Sequence, residues 1–447
     1  MGVTARGIMP SMNEDDAASM TEQLETRLVD SIEDHEGVSR RTVLGGLALA
    51  GGSAITGIGA AQSGNESGGN ATAGHDASFG TPGKYTEKNF DPHGYLREFN
   101  TGDSTNKRDA IFGKKDDLNA GVSQENGQTV REFNLTAVPE EIEIAPGVTF
   151  PSWMYNGQVP APTLRVEEGD LIRINFTNGF ADMAHTIHPH VQNLNPAMDG
   201  VPQNGPGAIK PGETFTYEWQ ARPAGTHLYH CHMLPLKAHI HRGMYGTIII
   251  DPKPENVREN PRDYIDYHGP ITDEVREMAV ERAKSRNMIS HADYVPDGYD
   301  DIDEMVIMMN GFDTNFDADN EVYAANTRAF AYAPAKTEKY NGEWEGGKTK
   351  HPIEIKKNNL QRVHVIQTLE YDFINSFHTH SQFFDYYDAG TTLFPNRSTI
   401  DTVMMCQAQR GLFEIDYSDH QPGLFMFHGH QSEFAEQGWM SFFEVTE

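Results

Sequence analysis

The sequence predicts an all-β protein built from two similar domains. Short alternating runs (Arg131 to Leu135, Leu171 to Phe176, Phe215 to Trp219, Gly246 to Ile250) are separated by turn-rich pieces such as Tyr155-Asn156-Gly157 and Lys210-Pro211-Gly212. Evenly spaced short strands with Gly/Pro punctuation read as a β-sandwich or barrel. A second β-rich block starts near Met305. In it, Met309-Asn310-Gly311-Phe312 echoes Met154-Tyr155-Asn156-Gly157, and Glu354 to Gln367 echoes Leu164 to Asn178. Each block then reaches a His-x-His pair and, well downstream, a second. Two copies of one β-fold are the economical reading.

Along the chain, residues 1–61 hold Ser39-Arg40-Arg41-Thr42-Val43-Leu44 ahead of a Gly/Ala-rich, mildly apolar run. A paired arginine before such a run reads as a twin-arginine export signal, with cleavage expected near Ala60 to Ser63. The glycines make a stable membrane span a poor alternative. An extracellular or cell-surface protein is expected. Residues 62–128 are polar and aperiodic, a flexible and partly ordered extension, with possible glycosylation acceptors at Asn65-Glu66-Ser67 and Asn70-Ala71-Thr72. The first β-domain is placed at 129–252 and the second at 304–447. Between them, 253–303 reads as a linker with a helix over Thr272 to Ser290.

Charge excludes some functions. Lys+Arg total 35 and Asp+Glu 65 in 447 residues, a formal charge of −30, whereas nucleic-acid binding needs a basic footprint. The acids are spread throughout, which suits a solvated surface like those of proteins from salt-loving microbes. With 23 Phe and 17 Tyr there is still ample material for a core.

Only two cysteines, Cys231 and Cys406, stand beside 20 histidines, so a disulfide framework is excluded. The histidines are organised in four pairs: His188-Pro189-His190, His230-Cys231-His232, His378-Thr379-His380 and His428-Gly429-His430. On a strand, residues i and i+2 share a face, so each pair can offer two imidazoles to one side. Neutral imidazole suits Zn, Cu, Fe and Ni alike. Cys231 narrows the choice, because its sulfur points away from its flanking histidines. Two His, one Cys and a weak Met are the ligands of a blue-copper electron-transfer site. His185, Cys231, His239 and Met244 supply that set, with His241 the rival for His239.

These residues resemble the multicopper oxidases, specifically the two-domain laccase-like group, over roughly Thr129 to Glu447. The motifs concerned are Tyr155-Asn156-Gly157-Gln158-Val159-Pro160, the first histidine pair and Tyr229-His230-Cys231-His232. The resemblance implies two cupredoxin-like Greek-key β-barrel domains, one type 1 (blue) copper, one type 2 copper and a type 3 copper pair. It assigns His188 and His378 to the type 2 copper. His190, His230, His232, His380, His428 and His430 would hold the type 3 pair. It also implies dioxygen and a small reducing substrate as partners, and a homotrimer whose clusters lie at inter-subunit domain interfaces. Asp199 stands where the family has a proton-delivering acid, although an Asp-Gly turn explains it as well.

The second repeat departs from the first. Gly429 replaces the cysteine, Asn375 stands where His185 would, and only Met440 survives as a methionine. A second domain without blue copper is expected, with Cys406 a buried apolar residue. The nearest rival function, copper nitrite reductase, needs three histidines and an aspartate where His188 stands. A simple copper carrier would leave eight paired histidines unused.

Overall fold

The structure, a computed structural model, describes residues 96–103, 118–145, 148–326, 328–333 and 352–447. The export signal and the glycosylation triplets lie outside them. In the first half, the strands are β1 (Asn119–Glu125), β2 (Gln128–Ala145), β3 (Val148–Tyr155), β4 (Ala161–Glu167), β5 (Leu171–Asn178), β6 (His188–Pro189), β7 (Thr214–Gln220), β8 (Gly225–His230) and β9 (Tyr245–Asp251). A short helix, α1 (Leu236–His241), joins the last two. One sheet runs β1-β2-β5-β7 with β3 added on β2, and the other runs β4-β9-β8-β6. Alternation explains the pairing of these sheets: on β5, Ile172, Ile174 and Phe176 point inward and their neighbours outward. They meet Leu164, Val166, Ile248 and Ile250 of the second sheet in a closed core.

Two helices follow, α2 (Pro254–Glu259) and α3 (Asp273–Arg286). Thr272 caps α3 by accepting from the Val275 amide, and Asp273 and Glu274 in the first turn complement the helix dipole. This connecting segment is packed rather than bare. Val257, Ala279 and Ala283 bury against Ala224 of the first half and Leu393 of the second.

The second half comprises β10 (Ile302–Phe312), β11 (Val322–Ala325), β12 (Ile353–Lys356), β13 (Leu360–Gln367), β14 (Ile374–Thr379), β15 (Phe384–Asp388), β16 (Ser398–Ile400), β17 (Thr402–Cys406), β18 (Arg410–Asp416), β19 (Gly423–His428) and β20 (Met440–Thr446). The sheets run β11-β10-β13-β18-β15-β16 and β12-β20-β19-β14-β17. A helical turn, α4 (Ser432–Glu436), leads into β20 as α1 leads into β9.

Register corrects one part of the sequence repeat. Ala137 pairs with Tyr155 in the first half, and Met309 pairs with Ala325 in the second. Asn156 and Asn326 both adopt positive φ, 54° and 62°, and their Oδ1 atoms accept from the Thr136 and Met308 amides. The counterpart of Tyr155-Asn156 is therefore Ala325-Asn326. Asn310-Gly311, which looks like the same turn in sequence, lies inside β10. The β-structure also begins earlier than expected, at Asn119. Part of the extension is clasped: Asn100 exchanges backbone hydrogen bonds with Thr163 and Arg165, and Leu96 is buried in the second core.

A shared apolar layer joins the halves, with Val138, Phe150, Leu228 and Tyr245 packed on Val306, Met308, Phe312 and Ile366. Beside it lies a buried ionic network. Arg165 bonds Asp251 at 2.9 Å and also pairs with Glu304, which accepts from His364 Nε2 at 3.0 Å. Burial would raise the Glu304 carboxyl, but Arg165, His364 and Arg362 hold it well below its usual range. Glu304→Ala leaves Arg165 without half of its counter-charge. It should cost about 3–5 kcal/mol, read as a lowered midpoint in chemical denaturation.

Candidate metal centres

The chain leaves β8 still extended, so His230 and His232 face one way and Cys231 the other. Cys231 is held beside the far arm of the loop by its amide, which donates to the Met244 carbonyl at 3.0 Å. Its Sγ lies 3.7 Å from His185 Nδ1 and 3.3 Å from His239 Nδ1. His185, Cys231, His239 and Met244 are all buried. His241, on the other side of α1, accepts instead from the Asp313 amide at 2.8 Å. Along one helical turn, then, His239 is directed towards Cys231 and His241 away from it.

Burial governs the protonation of this centre. It pushes His185 down to about 3, with nearby His239 adding to the effect, and His239 down to about 4. Both rings are neutral at pH 7 and present lone pairs. Burial pushes the Cys231 thiol up to about 11, against backbone contacts to Thr186 and Met233 that oppose it. A thiol and two neutral imidazoles whose ligand atoms lie within 4.8 Å of one another fit copper, and binding must displace the thiol proton.

On the opposite face, His188 is the hub of a tetrad. Its ring centroid lies 5.2 Å from His190, 5.3 Å from His230 and 5.2 Å from His232. Strand pairing of β6 with β8 sets His188 directly across from His230. The second half repeats this arrangement. His378 lies 5.1, 5.3 and 5.0 Å from His380, His428 and His430, and β14 pairs His378 with His428.

Tautomers are fixed in matching fashion. His188 Nδ1 donates to the Asp199 carbonyl at 2.7 Å and His378 Nδ1 to that of Asp401 at 2.9 Å. His230 Nδ1 donates to the Cys231 carbonyl and His428 Nδ1 to that of Gly429. A carbonyl only accepts, so in the neutral form of each of these rings Nδ1 carries the proton and Nε2 is bare. Two such atoms already face a neighbour: His190 and His230 Nε2 are 3.1 Å apart, and His380 and His428 Nε2 are 3.0 Å apart. At these distances the His190 and His380 Nε2–H can each donate to the bare nitrogen across from it, and a bound metal would take the place of that proton. No ring contact joins the two tetrads within one chain among the described residues. The first is half-buried, whereas His380 and His430 are exposed.

Superposing the two hydrogen-bond patterns shows why the second half lacks a thiolate centre. The His232 amide donates to Thr186 Oγ1 and the His430 amide to Ser376 Oγ, which equates His185 with Asn375. The Gly429 amide donates to the Trp439 carbonyl as that of Cys231 does to Met244. Trp439, not Met440, is thus the counterpart of Met244. Likewise Met244 and Trp439 amides bond the carbonyls of His239 and Phe434. The indole fills the space: a Cβ on residue 429 would lie 2.5 Å from Trp439 Cδ1. Cys406 differs from expectation too. It is exposed, because it falls on the outward alternation of β17.

Asp199 occupies a turn before Gly200, and its carboxylate reaches 3.3 Å from His188 Nδ1. Asp401, which sequence reading missed, holds the same relation to His378 with a carboxylate at 3.9 Å. It lies 23 residues after its histidine rather than 11, so spacing hid it. Thr402 Oγ1 also contacts His378 Nδ1 at 2.8 Å.

Fold and centres together define a copper protein of the cupredoxin type. The chain belongs to the multicopper oxidase family: its profiles, both described as multicopper oxidase, match residues 137–255 and 314–447. A crystal structure of a multicopper oxidase is 37% identical, with 82% of this chain and 100% of that one covered and a TM-score of 0.60. The copper-containing nitrite reductase of Neisseria meningitidis is 30% identical over 148 residues, 32% of this chain and 36% of that protein. The L-ascorbate oxidase of Cucumis sativus is 39% identical over 111 residues, 24% of this chain and 18% of that protein. The chain thus spans about a third or less of the length of these two relatives.

Two outcomes follow for the centres. Since the free Cys231 thiol is protonated below about 11, copper affinity there should rise about tenfold per pH unit from about pH 6 to about pH 9, measured by competition with a chelator. Gly429→Ala should lower stability by about 1–3 kcal/mol through overpacking against Trp439, measured by denaturant titration.

Proposed function

We propose that this chain is an exported oxidase that couples one-electron oxidation of a small reducing substrate to four-electron reduction of dioxygen to water. The observation that carries the reading is the pair of four-histidine tetrads, one per half, each with bare Nε2 atoms aimed inward. A copper carrier or a nitrite reductase would leave most of them unused. The 30% identity to a nitrite reductase favours that reaction as the second reading, but His188 stands where its aspartate is expected.

In this reading His185, Cys231, His239 and Met244 hold a type 1 copper. His188 and His378 hold a type 2 copper, and the other six tetrad histidines hold a type 3 pair. Copper bound there supplies single-electron transfer and dioxygen binding. The protein's part is positional. Carbonyls of Asp199, Asp401, Cys231 and Gly429 orient the rings, and the His230-Cys231-His232 backbone links the two faces. Asp199 is the proposed proton donor to the cluster.

Two half-sets make a complete cluster only when a first-half tetrad meets a second-half tetrad of another copy. Support comes from the surface around His378 and His428, where Ile374, Met404 and Leu424 are exposed. Closed head-to-tail pairing gives a ring, here a homotrimer. Export through the twin-arginine route is proposed from Arg40-Arg41, and it suits a protein that folds around a cofactor.

Metal analysis of the purified protein should give one blue copper and three others per chain, with oxygen uptake on phenol or Cu(I) and none on nitrite. Cys231→Ser should abolish the visible band and substrate oxidation. His428→Ala should keep the band and stop oxygen uptake. Full turnover by either variant would refute the assignment, and a single copper per chain would point to a carrier.

A further inference from the structure

His188 and His378 are matched in tautomer but not in what holds the carbonyl they meet. In the second half that carbonyl belongs to a strand ladder. Asp401 accepts from His378 Nδ1 and from the Thr379 amide, both at 2.9 Å, and β14 pairs His378 with Thr402 of β17. In the first half the residue after the histidine is Pro189, which has no amide to give. The carbonyl that meets His188 Nδ1 at 2.7 Å lies instead in a turn outside the sheets, Asn195 to Gly200.

Two contacts fix the peptide units on either side of Asp199. On one side the Trp219 indole Nε1 donates to the Met198 carbonyl at 2.8 Å. Trp219 is 1% exposed, on the inward face of β7 with Ile172 of β5 opposite it by register, so the core holds the indole in turn. On the other side Gly200, with φ 72°, presses on the strand ahead of His188. A Cβ there would lie 1.8 Å from the Ile187 carbonyl oxygen. Asn195 completes the turn: its Oδ1 accepts from the Ala197 amide at 3.0 Å and its carbonyl from the Met198 amide at 2.7 Å. The grip on Asp199 itself is weaker. Its amide lies 3.5 Å from the Pro196 carbonyl and its carboxylate 3.4 Å from Asn204 Nδ2. Peptide planes are rigid, so holding the planes before and after Asp199 leaves its carbonyl one direction, towards His188.

We propose that Trp219 is a positioning residue for the type 2 copper: through the Met198–Asp199 peptide, its indole N–H keeps His188 in the Nδ1–H tautomer with Nε2 turned inward. The inference rests on the oxidase reading, which makes His188 a type 2 ligand, and it adds an asymmetry. The second-half ligand is held by a backbone ladder, whereas the first-half ligand depends on one buried hydrogen bond from a distant strand. Without the N–H, the Met198 carbonyl loses that partner and the turn can rotate to satisfy it elsewhere. His188 is released with the turn. A ring that loses its acceptor can carry its proton on Nε2, which blocks the lone pair that would hold copper.

The test uses the full chain and Trp219→Phe, which keeps an aromatic ring in the core and removes the N–H. Asn195→Ala, on the exposed side of the turn, is the second variant. In the copper-free chain, imidazole nitrogen shifts are read by NMR, with His188 assigned by its loss in His188→Gln. They should show Nδ1–H in the wild type and a mixture of tautomers in Trp219→Phe. In the copper-loaded chain, chelator competition should show type 2 copper bound about tenfold more weakly. Its paramagnetic spectrum should change while the blue band stays. Asn195→Ala should move both readouts the same way by a smaller factor, and where Trp219→Phe does not fold, an unchanged tautomer in Asn195→Ala refutes the proposal. Lowered stability of Trp219→Phe with an unchanged His188 tautomer would make Trp219 a packing residue only and overturn it. A tautomer shift in a chain that binds no copper cluster would uphold the positioning role and overturn the oxidase reading instead.

Discussion

The organisation of this molecule depends on the alternation of one extended tripeptide. Because His230, Cys231 and His232 continue the direction of β8, successive side chains leave opposite faces of the backbone. The thiol drops into the closed core of the first half, and the two imidazoles turn to the other side. This geometry lets adjacent residues face two separate sites while remaining joined by a few covalent bonds. A helical tripeptide would fan the three side chains over a wide arc. Here the Cys231 carbonyl also orients His230 Nδ1, so the residue that faces one centre sets the tautomer at the other.

The same frame is present twice, and the differences are as informative as the likenesses. Thr186 and Ser376, Asp199 and Asp401, and the carbonyls of Cys231 and Gly429 play matching parts. The tetrad has therefore been kept in both halves, down to its hydrogen bonds. The buried pocket behind it has not. In the second half Asn375, Phe434 and Trp439 take the places of His185, His239 and Met244, and Gly429 admits the indole. An apolar filling stands where the first half has its Cys/His ligand set, and the Trp439 indole packs against Gly429 in place of a sulfur. A simple Gly429→Cys exchange could not restore a site, since the indole occupies the space that a sulfur would need.

Much of this was legible in sequence because it rests on local rules. Period-two alternation revealed the strands, and i, i+2 spacing on strands revealed the four histidine pairs, though not their joining two by two into tetrads. What escaped has a common cause. The Ala325-Asn326 turn was missed because Asn310-Gly311 mimics it, and only inter-strand register separates a turn from a strand interior. Asp401 and Trp439 were missed because loops of different length carry equivalent atoms, and hydrogen-bond partners, unlike spacing, survive such changes. Cys406 was misplaced because burial on an edge strand depends on which face the second sheet covers. Trp153 drew no attention, since a lone aromatic on a strand looks like core until its ring is seen against two histidines.

Burial of the thiolate centre and exposure of the second tetrad place opposite demands on the surface. In the proposed reading the buried centre accepts electrons while excluding solvent, and the Trp153 ring, in contact with both imidazoles, covers it without admitting water. A tetrad whose imidazoles stand open, with Ile374, Met404 and Leu424 exposed beside them, presents apolar area and unfilled donor atoms together. In the proposed assembly one event, the arrival of a complementary surface, stabilises both. In the proposed trimer, copper binding and subunit association are therefore thermodynamically linked: metal that binds only the completed cluster favours assembly by mass action. Association in turn raises copper affinity. In that proposed equilibrium the half-buried tetrad of the first domain and the open one of the second are the two sides that meet.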